Sequence, residues 1–294
     1  MPRLNVLKTY KIYIGGQFPR TESGRYYEVF SSDKKLLANV CLCSRKDFRN
    51  AVASASNAWS SWSSKSAYNR GQILYRIAEM LESRTTQFVD ELVSLGYTEK
   101  NAQSEVQQSV DRLVYYAGWS DKYQQIFSSI NPVSAPFFNF SVLEPMGVVS
   151  VIAPEDSPLL GLVSLISSII VGGNTCIILA SEKLPLTAIS FSEVLNSSDV
   201  PGGVINIITG SSKELLSHMA NHLEVKAICY ARNNASEIKQ IGELATLNLK
   251  RVVLYNQVND WANIEIGPYS IKDFQETKTT WHPIENIGVS STKY

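Results

Sequence analysis

The first 120 residues combine short strand-like runs with helical periodicity. Apolar and β-branched residues favour strands at Tyr10–Ile14, Tyr26–Phe30 and Leu37–Leu42. Ser44 and Asp47 have the spacing of a capping box, which predicts that a helix begins there. Four helices are expected, and their apolar faces consist of Ala51, Ala55, Ala58, Trp62, Ile73, Leu74, Ile77, Leu81, Phe88, Leu92, Leu95, Val106, Val110, Leu113, Val114 and Ala117.

The period of the pattern then changes from that of a helix to that of a strand. Phe138, Phe140 and Val142 alternate with Asn139 and Ser141. Successive side chains of a strand point to opposite faces, so this alternation predicts a half-exposed strand.

From residue 148 onward, apolar strands alternate with helices. Strands are predicted at Val148–Ile152, Thr175–Leu179, Val204–Ile208, Lys226–Tyr230 and Arg251–Leu254. The intervening helices are predicted at Pro158–Ile170, Pro185–Leu195, Ser211–Ala220 and Asn234–Ala245. Such a pattern is typical of a parallel sheet covered on both faces, here a Rossmann-like, doubly wound α/β domain. Ligands bind at the carboxyl ends of the strands in these sheets. The periodicity fades afterwards, so residues 259–294 are expected to form an irregular tail.

Composition and charge narrow the classes of function. The 294 residues carry 27 basic and 27 acidic side chains and no dense basic run, which argues against nucleic acid as a partner. The longest apolar stretch, Leu159–Val171, is shorter than the ~20 residues that span a bilayer and is predicted to be a buried helix. The four cysteines lack the spacing of a zinc or redox site, so they are expected to be reduced thiols. We expect a cytoplasmic protein that contacts no membrane.

Several segments, in this order and spacing, resemble the aldehyde dehydrogenase superfamily from about residue 10 to 258. They are Tyr13–Gly16, Arg70–Leu74, Glu144–Val149, Gly173–Thr175, Ser181–Ala188, Val200–Asn206 and Asn248–Val252. Within that superfamily the chain looks most like the C-terminal, non-catalytic repeat of the family 16 proteins. The resemblance implies that residues 1–258 form the cofactor domain, with N-terminal helices and a projecting oligomerisation hairpin at about 136–146. It also implies that the catalytic domain is absent.

An aldehyde dehydrogenase needs a cysteine nucleophile, an amide donor for the oxyanion, a carboxylate base and a seated nicotinamide. The resemblance places Asp156 at the position of the oxyanion asparagine, and an ionised carboxylate has no N–H to donate. Asp156 is more plausible as a helix N-cap. Tyr255 stands in place of the glutamate base, and tyrosine is a poor base at neutral pH. The terminal Asn286–Ser290 only faintly resembles the cysteine motif and contains no cysteine. No catalytic residue and no metal site is therefore expected.

The cofactor positions implied by the resemblance have also changed. Leu179 replaces the ribose-binding lysine, and Arg232 and Asn233 replace a glycine–serine pair beneath the cofactor. Glu182 and Gly210 remain and, with Arg232, are the vestigial cofactor-binding candidates. Glu182 would contact a ribose or lie solvated at the surface, and the Arg232 guanidinium would fill the glycine's space or hold an anion. No cofactor is expected, although weak NAD binding stays open.

Three hypotheses follow. The first is a non-catalytic, pseudoenzyme domain that serves as an interaction or regulatory module. It would bind another copy of itself, or an intact aldehyde dehydrogenase domain, through the apolar edge strand Phe138–Leu143. The second is a part of an NAD-dependent aldehyde-oxidising oxidoreductase that works when joined to an intact catalytic domain. The third is a nucleotide sensor that uses Glu182, Gly210 and Arg232 without chemistry.

Overall fold

A computed structural model describes residues 8–264 and 267–284. The N-terminal part contains a small sheet of the strands β1 (Thr9–Tyr10), β2 (Tyr26–Phe30) and β3 (Leu36–Cys41), in the order β1-β3-β2. The predicted strand Tyr10–Ile14 is thus shorter and earlier, and Tyr13 instead forms an isolated bridge to Ile207. Five helices follow: α1 (Arg45–Ser63), α2 (Ala67–Glu82), α3 (Thr85–Ser94), α4 (Glu99–Trp119) and α5 (Tyr123–Phe127).

The beginning of α1 has the capping box that the sequence predicts. The Ser44 hydroxyl accepts from the Lys46 backbone N–H, and the Asp47 carboxylate accepts from the Ser44 backbone N–H at 2.8 Å. The predicted apolar faces of these helices are buried, except that Leu95 is half-buried and Val114 is 42% exposed. The spacing of apolar residues therefore predicted the helices and nearly all of their buried faces correctly.

The second part of the chain forms the parallel sheet. After β4 (Ser129–Asn131) and β5 (Phe137–Pro145), the strands β6 (Val148–Ile152), β7 (Thr175–Leu179), β8 (Ile205–Ile208), β9 (Val225–Tyr230) and β10 (Arg251–Leu254) alternate with helices. The helices are α6 (Leu160–Val171), α7 (Leu186–Asn196), α8 (Ser212–Asn221) and α9 (Ala235–Ala245), with a 3-10 turn at Thr246–Asn248. The strand order is β10-β9-β6-β7-β8 and every pairing is parallel. The doubly wound α/β fold is confirmed, and the strand order reverses between β6 and β9.

Two apolar clusters cover the two faces of this sheet. Val149 and Val151 of β6 belong to one cluster, while Val148 and Ile152 belong to the other. This division follows from the two-residue period of a strand, and it favours apolar residues along the whole of a strand that is buried on both faces. The apolar stretch predicted to be a buried helix is α6, in which every residue is buried.

The third sheet of the domain, which we call the projecting sheet, has three strands. One of them comes from the segment after residue 258. The predicted irregular tail instead contains α10 (Tyr269–Lys272) and β11 (Gln275–Pro283). β11 pairs antiparallel with β5 over nine residues, and the order is β11-β5-β4. The predicted edge strand Phe138–Leu143 therefore lies in the middle of the sheet, so the prediction of an open edge there was wrong. The hydrophobic pattern did not predict β11, because seven of its nine residues are exposed and polar side chains occupy both of its faces.

Two further expectations concern the cysteines and the membrane. Cys41, Cys43, Cys176 and Cys229 are all buried and none forms a disulfide. In the part of the chain that the structure describes, no helix combines the length and apolar character needed to cross a membrane.

Candidate functional site

The carboxyl ends of β6 and β9 open into a cleft of about 880 Å³. Its walls are the loops after β6, β7 and β9, the first half of α4 and the segment after β10. The cleft thus lies at the point where the strand order reverses, the usual ligand position of a doubly wound sheet. Arg232 and Glu182 both line it, whereas Gly210 does not.

Arg232 leaves the end of β9 and its guanidinium crosses the end of β6. Nε–H donates to the Ala153 carbonyl at 2.9 Å, and Nη2 donates to the Ala180 carbonyl at 3.1 Å. Nη1 lies 2.7 Å from Glu155 Oε1 and 2.9 Å from Glu182 Oε1. The side chain is only 9% exposed, so the guanidinium is held by the protein itself rather than presented to an outside anion.

Glu155 is the third residue after β6 and was not predicted as a site residue. Besides Arg232, its carboxylate accepts from the Ser181 hydroxyl at 2.7 Å and from the backbone N–H groups of Glu182 and Lys183 at 3.2 and 3.1 Å. Paired backbone N–H groups of this kind form an anion-binding concavity. The carboxylate of Glu155 therefore occupies a position that suits a phosphate oxygen. The available signal was an acidic residue three positions after the end of an apolar strand, at the end of the sheet where ligands bind.

Glu182 is the second carboxylate on Arg232 and also caps α8. Its Oε1 accepts from the Ser212 backbone N–H at 2.6 Å. Burial alone would raise the pKa of Glu182, but the hydrogen bonds from Ser212 and Arg232 outweigh burial and lower it. The glutamate is thus not simply solvated, because its Oε1 is bonded to Arg232 and to the beginning of α8.

Gly210 lies at the carboxyl end of β8, with a φ of +147° that L side chains rarely adopt. A Cβ at this position would lie 3.1 Å from the backbone nitrogen of Cys43. Glycine is therefore needed to bring the turn against the segment that follows β3. The structure brings Glu182 and Arg232 together. Gly210 lies apart from them, and close packing against Cys43 explains the glycine at this position.

The amino end of α6 faces the same cleft and is capped by α4. Glu105 Oε1 accepts from the backbone N–H groups of Leu159 and Leu160 at 3.2 and 2.9 Å and from the Ser157 hydroxyl at 2.9 Å. Ser157 Oγ in turn accepts from Gly161 N–H at 2.9 Å. The prediction that Asp156 is the N-cap was wrong, since α6 begins at Leu160, one turn beyond its reach. Burial raises the pKa of Glu105 above its ordinary value despite these donors.

The amino end of α9 is also capped from within the chain. The Asn234 side chain accepts from the backbone N–H groups of Ser236 and Glu237 at 3.1 and 3.4 Å. Glu237 accepts from the Ser212 and Tyr230 hydroxyls at 2.8 and 2.6 Å. Three helices at this edge of the sheet, α6, α8 and α9, thus each have one or more of their free N–H groups bonded to side chains of the chain itself.

The charge of the cleft is predominantly negative. Two cationic side chains, Lys183 and Arg232, face six carboxylates among the described lining residues, namely Glu105, Glu155, Asp156, Glu182, Glu237 and Asp260. Arg232 is shared between two of them. An anionic ligand would meet net repulsion on entering, because charges in a concave site are only partly screened by water.

The positions that correspond to the catalytic groups do not form a reactive centre. The Leu179 side chain is fully buried in the sheet. Tyr255 packs against Trp261, with ring centroids 5.9 Å apart, and its hydroxyl donates to Asp273 at 3.4 Å. Burial raises the pKa of Tyr255, which keeps the phenol protonated. Asn286–Ser290 lies outside the described residues.

The cysteines offer no alternative nucleophile. Burial raises the pKa of the Cys43, Cys176 and Cys229 thiols. A thiol that stays protonated at neutral pH is a poor nucleophile. Within residues 8–264 and 267–284, no group of three or more His, Cys, Asp or Glu side chains is placed to hold a metal ion.

Comparisons with known proteins agree with the fold. Mouse cytosolic 10-formyltetrahydrofolate dehydrogenase is 29% identical over 263 residues, which cover 86% of this chain and 29% of that protein. Elephantulus edwardii aldehyde dehydrogenase, cytosolic 1, is 29% identical and is covered over 49% of its length. The chain thus spans half or less of the curated relatives it matches.

Solved structures and the family profile point the same way. PnpE from Pseudomonas sp. WBC-3 superposes with a TM-score of 0.81 at 27% identity, covering 85% of this chain and 51% of PnpE. A crystal structure of PnpE in complex with nicotinamide adenine dinucleotide superposes with a TM-score of 0.80 at 28% identity, covering 84% of this chain and 50% of that one. The profile described as "Aldehyde dehydrogenase family" matches residues 19–262. The chain therefore belongs to the aldehyde dehydrogenase family.

Proposed function

We propose that this chain is a non-catalytic member of its family and serves as an interaction or regulatory module. One observation carries the proposal. Arg232, Glu155 and Glu182 form an ion-paired cluster at the strand-order reversal, where a cofactor of this fold would lie. The cluster is bonded to the carboxyl ends of β6 and β7 as well, so it is part of the framework of the domain.

The residues present do not fit NAD. A pyrophosphate needs unpaired N–H donors and a neutral or positive surrounding. Here, carboxylates from the protein itself accept from the N–H groups of residues 182 and 183, from the beginning of α8 and from the beginning of α6. Binding would have to displace these carboxylates into a cleft that already carries excess negative charge. We therefore expect no cofactor.

The chemistry of aldehyde oxidation is not supported by these residues either. A developing oxyanion is stabilised by preorganised donors, and Asp156 has none to offer. Tyr255 is directed at Trp261 and Asp273 rather than into the cleft. The module is thus expected to act through binding rather than through catalysis.

The projecting sheet is the surface on which we expect that binding to occur. Ile130 is 72% exposed and Phe138 is 43% exposed on one face of this sheet, because Ile130 lies opposite Phe140. Trp281 is 57% exposed on the other face, beside Phe137. Exposed apolar side chains that lie together on a surface are typical of protein interfaces. The proposed partners are a second copy of the chain or an intact aldehyde dehydrogenase domain, in the cytoplasm.

A second candidate function rests on the partial coverage of the relatives. Because the chain spans half or less of proteins named as dehydrogenases, it would also serve as part of an aldehyde-oxidising enzyme assembled with an intact catalytic domain. NADH formation from an aldehyde separates the two. The chain alone is expected to form no NADH. When this chain is added to an intact aldehyde dehydrogenase, the rate of NADH formation by that enzyme is expected to change only if the two proteins form a complex. NADH formation by the chain alone would overturn the proposal.

A further inference from the structure

A glutamate of α3 joins the N-terminal strand to two helices of the domain. Glu91 Oε1 accepts from the Tyr10 hydroxyl of β1 at 2.8 Å and from the Ser190 hydroxyl of α7 at 3.0 Å. The Tyr10 side chain is buried and belongs to the main apolar cluster. The Glu91 carboxyl group is therefore a point at which three elements, distant in the sequence, are bonded to one another.

The second oxygen of this carboxyl group has no partner. Glu91 Oε2 is buried, and no group among the described residues donates a hydrogen bond to it. An ionised carboxylate spreads its charge over two oxygens and can accept about four hydrogen bonds. With one oxygen cut off from water and from donors, the ionised form is poorly compensated, whereas the neutral acid would bury no charge. The surroundings of Oε2 thus favour the protonated group.

The charged side chains around Glu91 are paired with another carboxylate. Lys8, which precedes β1, has its Nζ 3.5 Å from Ser190 Oγ and 2.8 Å from the carboxylate of Glu193 in α7. Arg84, at the beginning of α3, lies 3.8 Å from the same glutamate. Both cations therefore lie on Glu193, and no cation in the described part of the chain is ion-paired with Glu91.

These surroundings change the acidity of Glu91. Burial raises its pKa above the ordinary value of 4.5, and the charge of Glu193 adds to the increase. The hydrogen bonds from Tyr10 and Ser190 and the charge of Lys8 lower the pKa by less. Release of β1 would return the carboxyl group to water and to its ordinary pKa. The docked strand therefore binds the proton more tightly. The stability that this proton supplies is complete below pH 4.5 and is lost as the pH rises through the raised value.

We propose that Glu91 is a pH-sensitive clasp on the N-terminal strand, which holds β1 against α3 and α7 most tightly when the carboxyl group is protonated and less tightly when it is ionised. Release of β1 would free the edge of β3 at Asn39 and Val40, its partners in the small sheet. A freed edge is a template for another strand. Glu91 does not line the cleft at the strand-order reversal, so the clasp goes beyond the proposed function and does not depend on it.

Hydrogen exchange followed by NMR tests the clasp. The opening constant is measured for the backbone amides of β1 and of its partners in β3, and it is corrected for the intrinsic exchange rate at each pH. Between about pH 4.5 and pH 7 it is expected to rise, by at most about tenfold per pH unit. Glu91→Gln cannot ionise, so its opening constant should not change across this range. Asp90→Asn is the matched control, because Asp90 is an exposed residue of the same helix and its loss should leave the rise intact.

Titration of Glu91 itself is the second measurement. In a chain labelled with ¹³C, the sequentially assigned carboxyl signal of Glu91 should titrate with a midpoint above pH 4.5. Tyr10→Phe removes a hydrogen bond that favours the ionised form, so it should raise this midpoint further, and it keeps the test decisive where Glu91→Gln does not fold. A midpoint at or below 4.5, or one that Tyr10→Phe does not raise, would overturn the proposal. So would an opening constant that does not change with pH, or one that changes equally in Glu91→Gln.

Discussion

Arg232 Nη1 lies 2.7 Å from Glu155 Oε1, and this ion pair spans the point where the strand order of the sheet reverses. The two side chains are only 9% and 15% exposed, so neither charge has much access to water. Removing one partner of such a pair leaves the other charge buried and uncompensated.

Arg232→Met is therefore expected to lower the free energy of unfolding by about 3–5 kcal/mol, measured by urea denaturation. The matched control is Arg25→Met, because Arg25 pairs with Glu214 at the surface, where the two side chains are 42% and 45% exposed. That control should lower the free energy of unfolding far less, because water screens an ion pair at the surface. Equal losses for the two variants would show that the cluster at the strand-order reversal is not a buried network.

Glu105 links α4 to the beginning of α6 through a single oxygen that accepts from two N–H groups and one hydroxyl. Glu105→Ala is expected to destabilise the domain by about 1–3 kcal/mol, because it leaves buried donors without a partner. Glu105→Gln retains a carbonyl oxygen and should lose less. Thermal or urea unfolding of both variants measures the difference, and an alanine variant as stable as the glutamine variant would contradict this role.

Gly161 is packed against the segment that follows β10. A Cβ there would lie 2.5 Å from Pro154 Cγ and 3.1 Å from the Trp261 ring. Gly161→Ala should therefore cost about 1–3 kcal/mol through overpacking. Gly242 lies in α9, and a Cβ added to it would meet nothing within 4 Å, so Gly242→Ala should instead stabilise the domain by roughly 0.5–1 kcal/mol. Changes of the same sign in the unfolding free energy would contradict this account.

The tail after residue 262 is expected to be an integral part of the core. Phe274 is fully buried, and its carbonyl accepts from the Asn174 side chain at 2.7 Å. Phe274→Ala should lower the free energy of unfolding by about 3–5 kcal/mol. Tyr269→Ala is the control, since Tyr269 is 67% exposed and should change stability little. Similar small effects at both positions would mean that the tail is not integrated into the fold.

Lys250 gives the stability a dependence on pH. Burial, with a smaller contribution from Lys226, lowers its pKa from 10.5 to about 8. Its ammonium group donates to the carbonyls of His222, at 2.8 Å, and Val225. Between these two pKa values the unfolded chain binds the proton more tightly, so this residue makes stability rise with pH and fall as the pH drops towards about 8.

The variant Lys250→Met isolates that contribution. Urea titrations across the same pH window measure the free energy of unfolding of both proteins. The difference between the unaltered chain and the variant should rise with pH, by at most about 1.4 kcal/mol per pH unit. Parallel pH profiles for the two proteins would show that Lys250 keeps its ordinary pKa in the folded state.

The parallel sheet was predictable because its central strands β6 and β7 are buried along their whole length and are therefore mostly apolar. The capping box at Ser44 was predictable because both partners lie within four residues. The partners of Arg232 were not, since Glu155 is 77 positions away along the chain and only the parallel order of β6 and β9 brings them together. β11 was not predicted, for a related reason. Its stability comes from pairing with β5, whereas its own side chains are mostly polar and exposed.

The central claim is that the cofactor cleft is occupied by the protein's own charged groups. Isothermal titration of the folded chain with NAD tests it most directly, with an intact aldehyde dehydrogenase as the positive control in the same buffer. The account predicts no saturable heat up to millimolar NAD and no shift of the melting temperature, whereas a ligand at 100 times its dissociation constant would add ~2.7 kcal/mol of stability. Saturable binding of one NAD per chain, weakened by substitution of Glu182, would contradict it.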